Sequence, residues 1–188
     1  YIYNKINKKI MSDKITLDRI ELLHPAVRQE VKDIYLNEII PALSGKAICR
    51  FAYTLRTFAE QDALFAQGRT RLFDNSGKRL GVVTKAKGGQ SIHNYGLAFD
   101  IVLLKDTNGD GTFESTSWET NVDFDKDGKA DWMEVVDILK KHGWTWGGDW
   151  KSFKDAPHFE KTFGHTWKTL LPKHQSKDFI TGTNYVQL

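Results

Sequence analysis

Two separated segments of this chain hold side chains that could bind a catalytic metal ion. His93 and Asp100 lie seven residues apart in Ser-Ile-His-Asn-Tyr-Gly-Leu-Ala-Phe-Asp, and His158 follows far downstream in Asp-Ala-Pro-His-Phe-Glu. Two histidines and one carboxylate leave a coordination position open, which a catalytic zinc site needs and a closed four-ligand site lacks. Asp155, three residues before His158, is a spare carboxylate that can act as a base toward water at that position.

The elements predicted around these residues explain how they could meet. Asp100 lies in a near-continuous apolar run over 97–104, which predicts a central strand, and burying its carboxylate there without a partner would be costly. His158 and Glu160 share one face of a predicted strand at 157–161, so Glu160 is expected to lie beside the His158 ring. An ion pair with an arginine would explain Asp100 taken alone, but the combined pattern favours a catalytic metal.

The rest of the chain alternates between helical and extended patterns, without a long repeat or a domain linker. Helices are predicted at 25–43, from 57 to a stop at 68, and at 132–141, and strands at 47–55 and 144–146. Residues 72–90 predict an exposed loop, and the C-terminal stretch is weakly patterned. We expect a single catalytic domain over 14–188, with a calcium-loop insertion at about 106–134 and an N-terminal arm or added residues at 1–13.

Composition narrows the class of protein. The 188 residues suit one domain, and a net charge of +3 is compatible with an anionic polymer such as a cell wall. There is no dense Lys/Arg stripe, so we expect no nucleic-acid partner, and no apolar run approaches the roughly 20 residues that span a bilayer. The single cysteine, Cys49, lies in an apolar run and is expected to be a buried strand residue rather than a nucleophile.

The pattern Ser91-x-His93-x-x-Gly96-x-Ala98-x-Asp100, followed by Asp-x-x-His at 155–158, resembles the zinc peptidoglycan peptidases. These include D-alanyl-D-alanine carboxypeptidases, D,D-dipeptidases and L-alanyl-D-glutamate endopeptidases. The resemblance runs from about residue 24 to about residue 163. It implies that the two histidines and Asp100 bind zinc and that the aspartate at 155 is the general base. It also implies an α+β fold of the hedgehog/D,D-peptidase type, in which a small antiparallel sheet carries the zinc site and helices pack outside it.

A second matching block, Leu-Arg-Thr-x-x-x-Gln-x-x-Leu-x-x-Gln-Gly-Arg-Thr, covers residues 55–70. In the family, the arginine at the position of Arg56 stabilises the oxyanion that forms when water attacks the peptide carbonyl, a task suited to a permanently charged guanidinium. A structural ion pair is the alternative for Arg56. Gln61 and Ser91 are predicted to contact substrate, and Gln61 could alternatively support another residue of the site. Among the tryptophans, Trp144, Trp146 and Trp150 are candidates to position substrate, and Trp146 is the one selected. The Gly-Arg-Thr at the end of the block is closer to the endopeptidase branch.

An acidic segment after the predicted central strand fits the twelve-residue calcium-loop pattern. Oxygen ligands fall at positions 1, 3, 5, 9 and 12, a glycine at position 6 permits the sharp turn, and position 7 offers a backbone carbonyl. The residues concerned are Asp123, Asp125, Asp127, Lys129, Asp131 and Glu134. A predicted helix follows this loop but none precedes it, so a loop with one helix is expected. Asp106, Asn108 and Asp110 begin the same pattern and form a possible second calcium site, although its twelfth position is a serine.

These observations predict a zinc endopeptidase that hydrolyses the L-alanyl-D-glutamate bond of peptidoglycan stem peptides, as a monomer, with calcium activating or stabilising it. The first alternative is a D-Ala-D-Ala carboxypeptidase, and the second is a non-catalytic calcium- and zinc-binding module that interacts with the wall. No export signal is evident in the first ten residues. The expectation is therefore a bacteriolytic phage endolysin, or a secreted wall enzyme whose signal has been removed.

Overall fold

Five short antiparallel strands form the sheet that carries the predicted metal ligands. In the computed structural model, which describes residues 12–188, the strands are β1 (Ala47–Tyr53), β2 (Ala98–Lys105), β3 (Ser115–Ser117), β4 (Thr145–Trp146) and β5 (His158–Glu160). The order across the sheet is β1-β2-β5-β4, and β3 pairs with the far end of β2. The predicted α+β class and the central position of β2 are therefore confirmed.

Helices surround this sheet. They are α1 (Lys14–Ile20), α2 (Pro25–Ile34), α3 (Ile40–Ala42), α4 (Phe58–Ala66), α5 (Asp131–Lys141) and α6 (Trp167–Gln175). A π-helical turn, Tyr35–Ile39, joins α2 to α3, so the helix predicted over 25–43 is continuous but locally unwound. The widened turn precedes Pro41, whose missing N–H cannot extend an α-helical ladder. No helix in the described part of the chain is long and apolar enough to cross a membrane.

The hydrophobic core lies between the sheet and the helices. Phe99 on β2 is completely buried and stacks against Phe51 of β1 with ring centroids 4.2 Å apart. Trp144 and Phe159 pack against other sides of the same ring, at 4.7 Å and 5.7 Å. Cys49 is also buried in β1, as predicted, and burial raises the pKa of its thiol. Phe99 precedes Asp100 in β2, so this aromatic cluster fixes the strand that carries a predicted metal ligand.

The two terminal regions differ most from the predictions. Helices α1 and α6 were not predicted, and α6 contains Pro172 in its interior. Asp13 caps α1, is buried, and pairs with Arg50 of β1 at 2.9 Å, so it is part of the folded domain. Residues 1–11 of the predicted arm lie outside the described residues.

Candidate active site

The pairing of β2 with β5 brings two of the three predicted metal ligands together. Asp100 and His158 are direct partners in this antiparallel register, so their side chains share one face of the sheet. The distance from Asp100 Oδ1 to His158 Nδ1 is 3.3 Å. A register shift in β1 between Phe51 and Tyr53 places Tyr53 opposite Asp100 on the other side, as expected of a bulge beside a functional site.

The third ligand comes from a short 3₁₀ turn, Ile92–Tyr95, that leads into β2. His93 Nε2 lies 3.2 Å from Asp100 Oδ1 and 3.1 Å from His158 Nδ1. Ser91 and Asn94 cap the turn reciprocally, and Gly96 ends it in the left-handed conformation with φ 70°. A Cβ at Gly96 would also meet the backbone of His24 at 2.8 Å, so glycine is required there by conformation and by space.

The hydrogen bonds of each ring decide which nitrogen faces the site. His93 Nδ1 donates to the carbonyl of Thr54 at 2.8 Å, which leaves the lone pair of Nε2 pointing inward. His158 Nε2 donates to Glu160 Oε2 at 3.1 Å, which leaves Nδ1 pointing inward. The prediction that Glu160 supports His158 is borne out by this contact.

These three donors fit a zinc ion. Ligand atoms about 2.0–2.1 Å from a tetrahedral zinc lie about 3.3 Å from one another, and the three separations here are 3.1, 3.2 and 3.3 Å. Both rings are nearly buried, so two facing lone pairs and a carboxylate would repel one another without a cation between them. The site therefore has the donor types, the spacing and the ring orientation that a catalytic zinc requires.

The ionisable groups around the donors perturb one another strongly. Burial would raise the pKa of Asp100, but the adjacent His93 and His158 outweigh burial and hold it well below its usual range. Burial would lower the pKa of His158, but its bonds to Asp100 and Glu160 raise it to about 9. The carboxylates of Asp100 and Glu160 therefore favour positive charge in this pocket, and a bound cation would supply it.

Asp155 lines the same cleft as the three ligands, as predicted for a base. Burial first, and then the charge of Asp100, raise the pKa of Asp155 above its usual value, which makes its carboxylate a better proton acceptor. Its backbone N–H donates to Gly147 O at 3.0 Å, and its carbonyl accepts from His158 N at 3.1 Å. A Cβ at Gly147 would lie 2.4 Å from that carbonyl, so Gly147 allows this close approach.

Arg56 extends from the segment after β1 toward Asp100, with Nη2 to Oδ2 at 3.6 Å. Its Nη1 donates to Gln61 Oε1 at 2.9 Å, and the Arg56 side chain, which lines the cleft, is 14% exposed. The prediction that Gln61 binds substrate needs correction, because Gln61 is completely buried and its amide donates to Ala86 O at 2.9 Å. Gln61 instead holds Arg56 and the neighbouring loop in position, which was the stated alternative.

The tryptophan predicted to contact substrate also needs correction. The indole N–H of Trp146 donates to Ala156 O at 2.6 Å, and its ring covers Gly148 and packs on the core. Trp150 lines the cleft instead and lies against the ring of His158, with centroids 5.0 Å apart. β4 has only two residues, so the alternation of side chains along it could not predict which indole faces the cleft. Ser91 does line the cleft, as predicted.

Part of the cleft is lined by residues 83–90, in the segment predicted only as an exposed loop. The cleft has a volume of about 540 Å³. Val83, Lys85 and Phe153 all line it, with the Lys85 ammonium 6.0 Å from the Phe153 ring centroid. Val83 and Phe153 are more than half exposed. The two adjacent valines at 82 and 83, in an otherwise glycine- and lysine-rich loop, were the available sequence signal for a substrate wall.

The acidic loop before α5 has the shape expected of a calcium loop. Carboxylate oxygens of Asp123, Asp125 and Asp127 lie within 4.8 Å of one another. Asp123 accepts backbone N–H bonds from Lys126 at 2.7 Å and from Gly128 at 3.0 Å, which closes the turn. The predicted Asp131 and Glu134 begin α5, and the Lys129 ammonium points away to Asp137, 2.9 Å distant.

The acidic loop that begins at Asp106 is more exposed to solvent. Asp106 and Asp110 lie within 4.8 Å of Glu114, at position 9 of the loop, which was not among the predicted ligands. Asn108 donates its amide to Asp110 at 3.0 Å. Asp110 and Glu114 are exposed, and Thr107 donates to Glu114. Asp106 accepts backbone N–H bonds from Gly109 at 2.7 Å and from Gly111 at 2.8 Å.

Sequence comparison with known proteins agrees with the class that this site defines, a metallopeptidase. Residues 84–161 match the profile of a family described as D-alanyl-D-alanine carboxypeptidase. The peptidoglycan L-alanyl-D-glutamate endopeptidase CwlK of Bacillus subtilis is 44% identical over 139 residues, which are 73% of this chain and 72% of CwlK. The crystal structure of the Serratia marcescens L-Ala D-Glu endopeptidase ChiX matches 80% of this chain and 88% of its own, with a TM-score of 0.46 and 22% identity.

The chain therefore belongs to the family of peptidoglycan metallopeptidases to which CwlK belongs. The profile match contains His93, Asp100, His158 and Asp155. The resemblance seen in the sequence motifs is confirmed, and so is the prediction of a metallopeptidase.

Proposed function

We propose that this chain is a zinc endopeptidase that hydrolyses the L-alanyl-D-glutamate bond of peptidoglycan stem peptides. The observation that carries the proposal is the convergence of three zinc-type donors with Asp155 and Arg56 in one cleft. The 44% identity to an endopeptidase of that name supports the choice of bond.

His93, Asp100 and His158 would hold the zinc ion, which supplies Lewis acidity to a peptide carbonyl and to water. Asp155, with its raised pKa, accepts the proton of the attacking water and returns it to the nitrogen of the leaving amine. Arg56 donates an N–H to the carbonyl oxygen as that oxygen gains negative charge. Gln61 keeps the guanidinium in place, because its Oε1 accepts one N–H and leaves the others free.

The shape of the cleft suits an extended peptide. Tyr53 and Phe153 are exposed aromatic residues beside the site, and Val83 continues the apolar surface. These side chains can pack on the peptide while His93, Asp100 and their partners remain below it. Lys85 adds a cation at the rim, suited to the carboxylates of a stem peptide.

A D-Ala-D-Ala carboxypeptidase is the second candidate, because the matching family profile carries that description. The same residues would perform the same proton transfers on a terminal bond. A non-catalytic wall-interaction module, the remaining alternative, gives no reason for a carboxylate of raised pKa beside the donors.

The test is hydrolysis of defined muropeptides by zinc-loaded protein, followed by mass analysis. The proposal expects fragments that end in L-alanine and fragments that begin with D-glutamate. Release of D-alanine alone would assign the carboxypeptidase reaction instead. No cleavage of any stem peptide by the wild type, with zinc stoichiometry confirmed, would favour the wall-interaction module.

We also propose that the enzyme acts as a monomer on the bacterial wall, with a lytic role of the endolysin type. The support is the substrate named for its relative CwlK, because peptidoglycan is the wall polymer itself. Loss of turbidity when the purified protein is added to permeabilised bacteria, with monomer mass in solution, is the expected result.

Calcium is proposed as a second cofactor that activates or stabilises the enzyme. Its support is the twelve-residue pattern and the clustered carboxylates of Asp123, Asp125 and Asp127. Activity of zinc-loaded protein with and without calcium tests the activating role, and Asp127→Ala should remove any response.

A further inference from the structure

Two carboxylate oxygens at the start of α5 are buried without a hydrogen-bond partner among the described residues. They are Oδ1 of Asp131 and Oε2 of Glu134. Asp131 is completely buried, and only its other oxygen is satisfied, by the backbone N–H of Phe124 at 2.6 Å. A buried carboxylate oxygen without a donor is destabilising, so such atoms are rare unless a ligand completes them.

The surroundings of these two oxygens are acidic. Burial and the charges of Asp125 and Asp123 raise the pKa of Asp131. Burial, followed by the charges of Asp127, Asp125 and Asp131, raises the pKa of Glu134 to about 7. The charge of Lys129 offsets part of this effect on Glu134, but its ammonium is about half exposed and pairs with Asp137. Among the described residues, no cation forms an ion pair with either orphaned oxygen.

We infer that loop 123–134 is a calcium site that stabilises the amino-terminal end of α5, and that this stabilisation is its main effect. Asp123, Asp125 and Asp127 supply the outer oxygens of the site, and Asp131 and Glu134 supply the buried ones. A hard divalent cation with six to eight oxygen ligands suits such a set, and its charge offsets the repulsion among five carboxylates. The inference is independent of the zinc site and narrows the calcium proposal to one site and one effect.

The earlier loop does not share the feature that carries this inference. Asp110 and Glu114 are exposed, and no side-chain oxygen of the loop is buried without a partner in the described structure. The proposal therefore excludes the cluster of Asp106, Asp110 and Glu114.

The position of α5 explains why its stability matters for the cleft. The helix packs against the π-helical turn and against β4, and Trp132 in its first turn is completely buried. The chain continues from α5 through β4 to Gly147, whose carbonyl accepts the backbone N–H of Asp155. If α5 became less stable, the segment that holds the backbone of Asp155 would become less ordered. The three proposed zinc ligands lie on other elements.

The test uses zinc-loaded protein freed of calcium on a chelating resin. Terbium is the binding probe, because excitation of Trp132 beside the site sensitises its luminescence, and calcium should displace it while magnesium at equal concentration should not. Calcium should also raise Tm, because a ligand that binds only the folded state stabilises it.

Two isosteric variants, Asp131→Asn and Glu134→Gln, should weaken calcium binding at least tenfold and abolish the rise in Tm. In calcium-free buffer both should be at least as stable as the wild type, because each removes an uncompensated buried charge. A residue with a merely structural role would instead lower Tm under both conditions. Asp137→Asn, on the same helix but 59% exposed, is the matched control and should behave as the wild type.

Two results would overturn the inference. One is wild-type protein with no calcium-dependent rise in Tm and no terbium displaced by calcium. The other is a calcium response that survives both Asp131→Asn and Glu134→Gln and disappears in Asp106→Asn, which would move the site to the earlier loop. Asp127→Asn, at the exposed edge of the site, repeats the binding test if a buried variant fails to fold.

Discussion

His158 lies between two carboxylates that face opposite edges of its ring. Asp100 Oδ1 is 3.3 Å from Nδ1, and Glu160 Oε2 is 3.1 Å from Nε2. Asp100 reaches the ring across the β2–β5 pairing, and Glu160 reaches it along β5. The ring can therefore present only Nδ1 to His93, and the short β5 strand provides both a candidate metal ligand and the group that orients it.

Replacement of Glu160 tests this orienting role. Glu160→Ala should weaken zinc binding about 10- to 100-fold, because the ring loses the partner that fixes its tautomer. Glu160→Gln keeps an acceptor without the charge and should lose less. Competition with a colorimetric zinc chelator measures both. Glu30→Gln, which alters the partner of Lys161 just beyond β5, is the control, and wild-type zinc affinity in Glu160→Ala would contradict the role.

Asp155→Asn should separate catalysis from metal binding. The amide cannot accept the water proton, so kcat on a muropeptide should fall by about 10²- to 10⁴-fold. Zinc stoichiometry should stay unchanged, because the three donors do not include Asp155. Asp149→Asn, an exposed change in the same segment, should leave both quantities near wild type. Loss of zinc from Asp155→Asn would show that Asp155 is a ligand and refute its assignment as the base.

Arg56→Lys tests whether the guanidinium geometry matters beyond its charge. Arg56 reaches Gln61 with Nη1 and Asp100 with Nη2, and the one nitrogen of a lysine ammonium cannot reproduce these two separated donor positions. We expect kcat to fall about 10²-fold or more with KM little changed, as for the loss of one oxyanion donor. Steady-state kinetics on one defined stem peptide measures this. Arg71→Lys, on the exposed loop, is the control, and equal kcat in the two variants would refute the role of Arg56.

Much of the site could be predicted from the sequence because its signals are local. The capping box that begins at Thr57 formed as expected, and the apolar run around Asp100 became β2. A carboxylate in such a run needs a partner, and the spacing of histidines and aspartates supplied the candidates. The spacing of acidic residues over 123–134 also predicted a calcium loop, and calcium binding there stays a prediction.

Other features depend on contacts between distant residues and could not be predicted. Helix α1 is short, and its cap, Asp13, is held by Arg50, 37 residues away. Gln61 is buried because residues 84–86 fold over it, and no local pattern indicates that burial. The choice of Trp150 over Trp146 depends on where Ala156 places its carbonyl.

The aromatic cluster under the site predicts a large stability effect. Phe99 is completely buried among Phe51, Trp144 and Phe159. Phe99→Ala should lower the free energy of unfolding by about 3–5 kcal/mol, because it leaves a cavity in a close-packed core. Denaturant unfolding of zinc-loaded protein measures this. Phe153→Ala, at the exposed cleft wall, should change stability by about 0.5 kcal/mol or less. A similar value for Phe99→Ala would show that the core can collapse around the loss.

His24 predicts how stability depends on pH. Its Nε2 donates to Val186 O at 2.9 Å, and its Nδ1 accepts the N–H of Ala26 at 3.1 Å, so both nitrogens are occupied in the neutral ring. Burial lowers the pKa of His24 below its ordinary value of 6.5. As pH falls, His24 is therefore protonated at a higher pH in the unfolded chain than in the folded protein. The contribution of neutral His24 is fully present above pH 6.5 and is lost as pH falls from there toward the folded pKa.

The expected slope for His24 is at most about 1.4 kcal/mol per pH unit. Unfolding free energies between pH 7.5 and 5.5 should be compared for wild type and His24→Asn, because asparagine keeps the helix cap but does not titrate. The wild-type curve should fall more steeply toward pH 5.5. Protonation of the zinc site affects wild type and His24→Asn equally, so it cancels in the difference between their unfolding free energies. Parallel curves would show that another group controls the acid sensitivity of the fold.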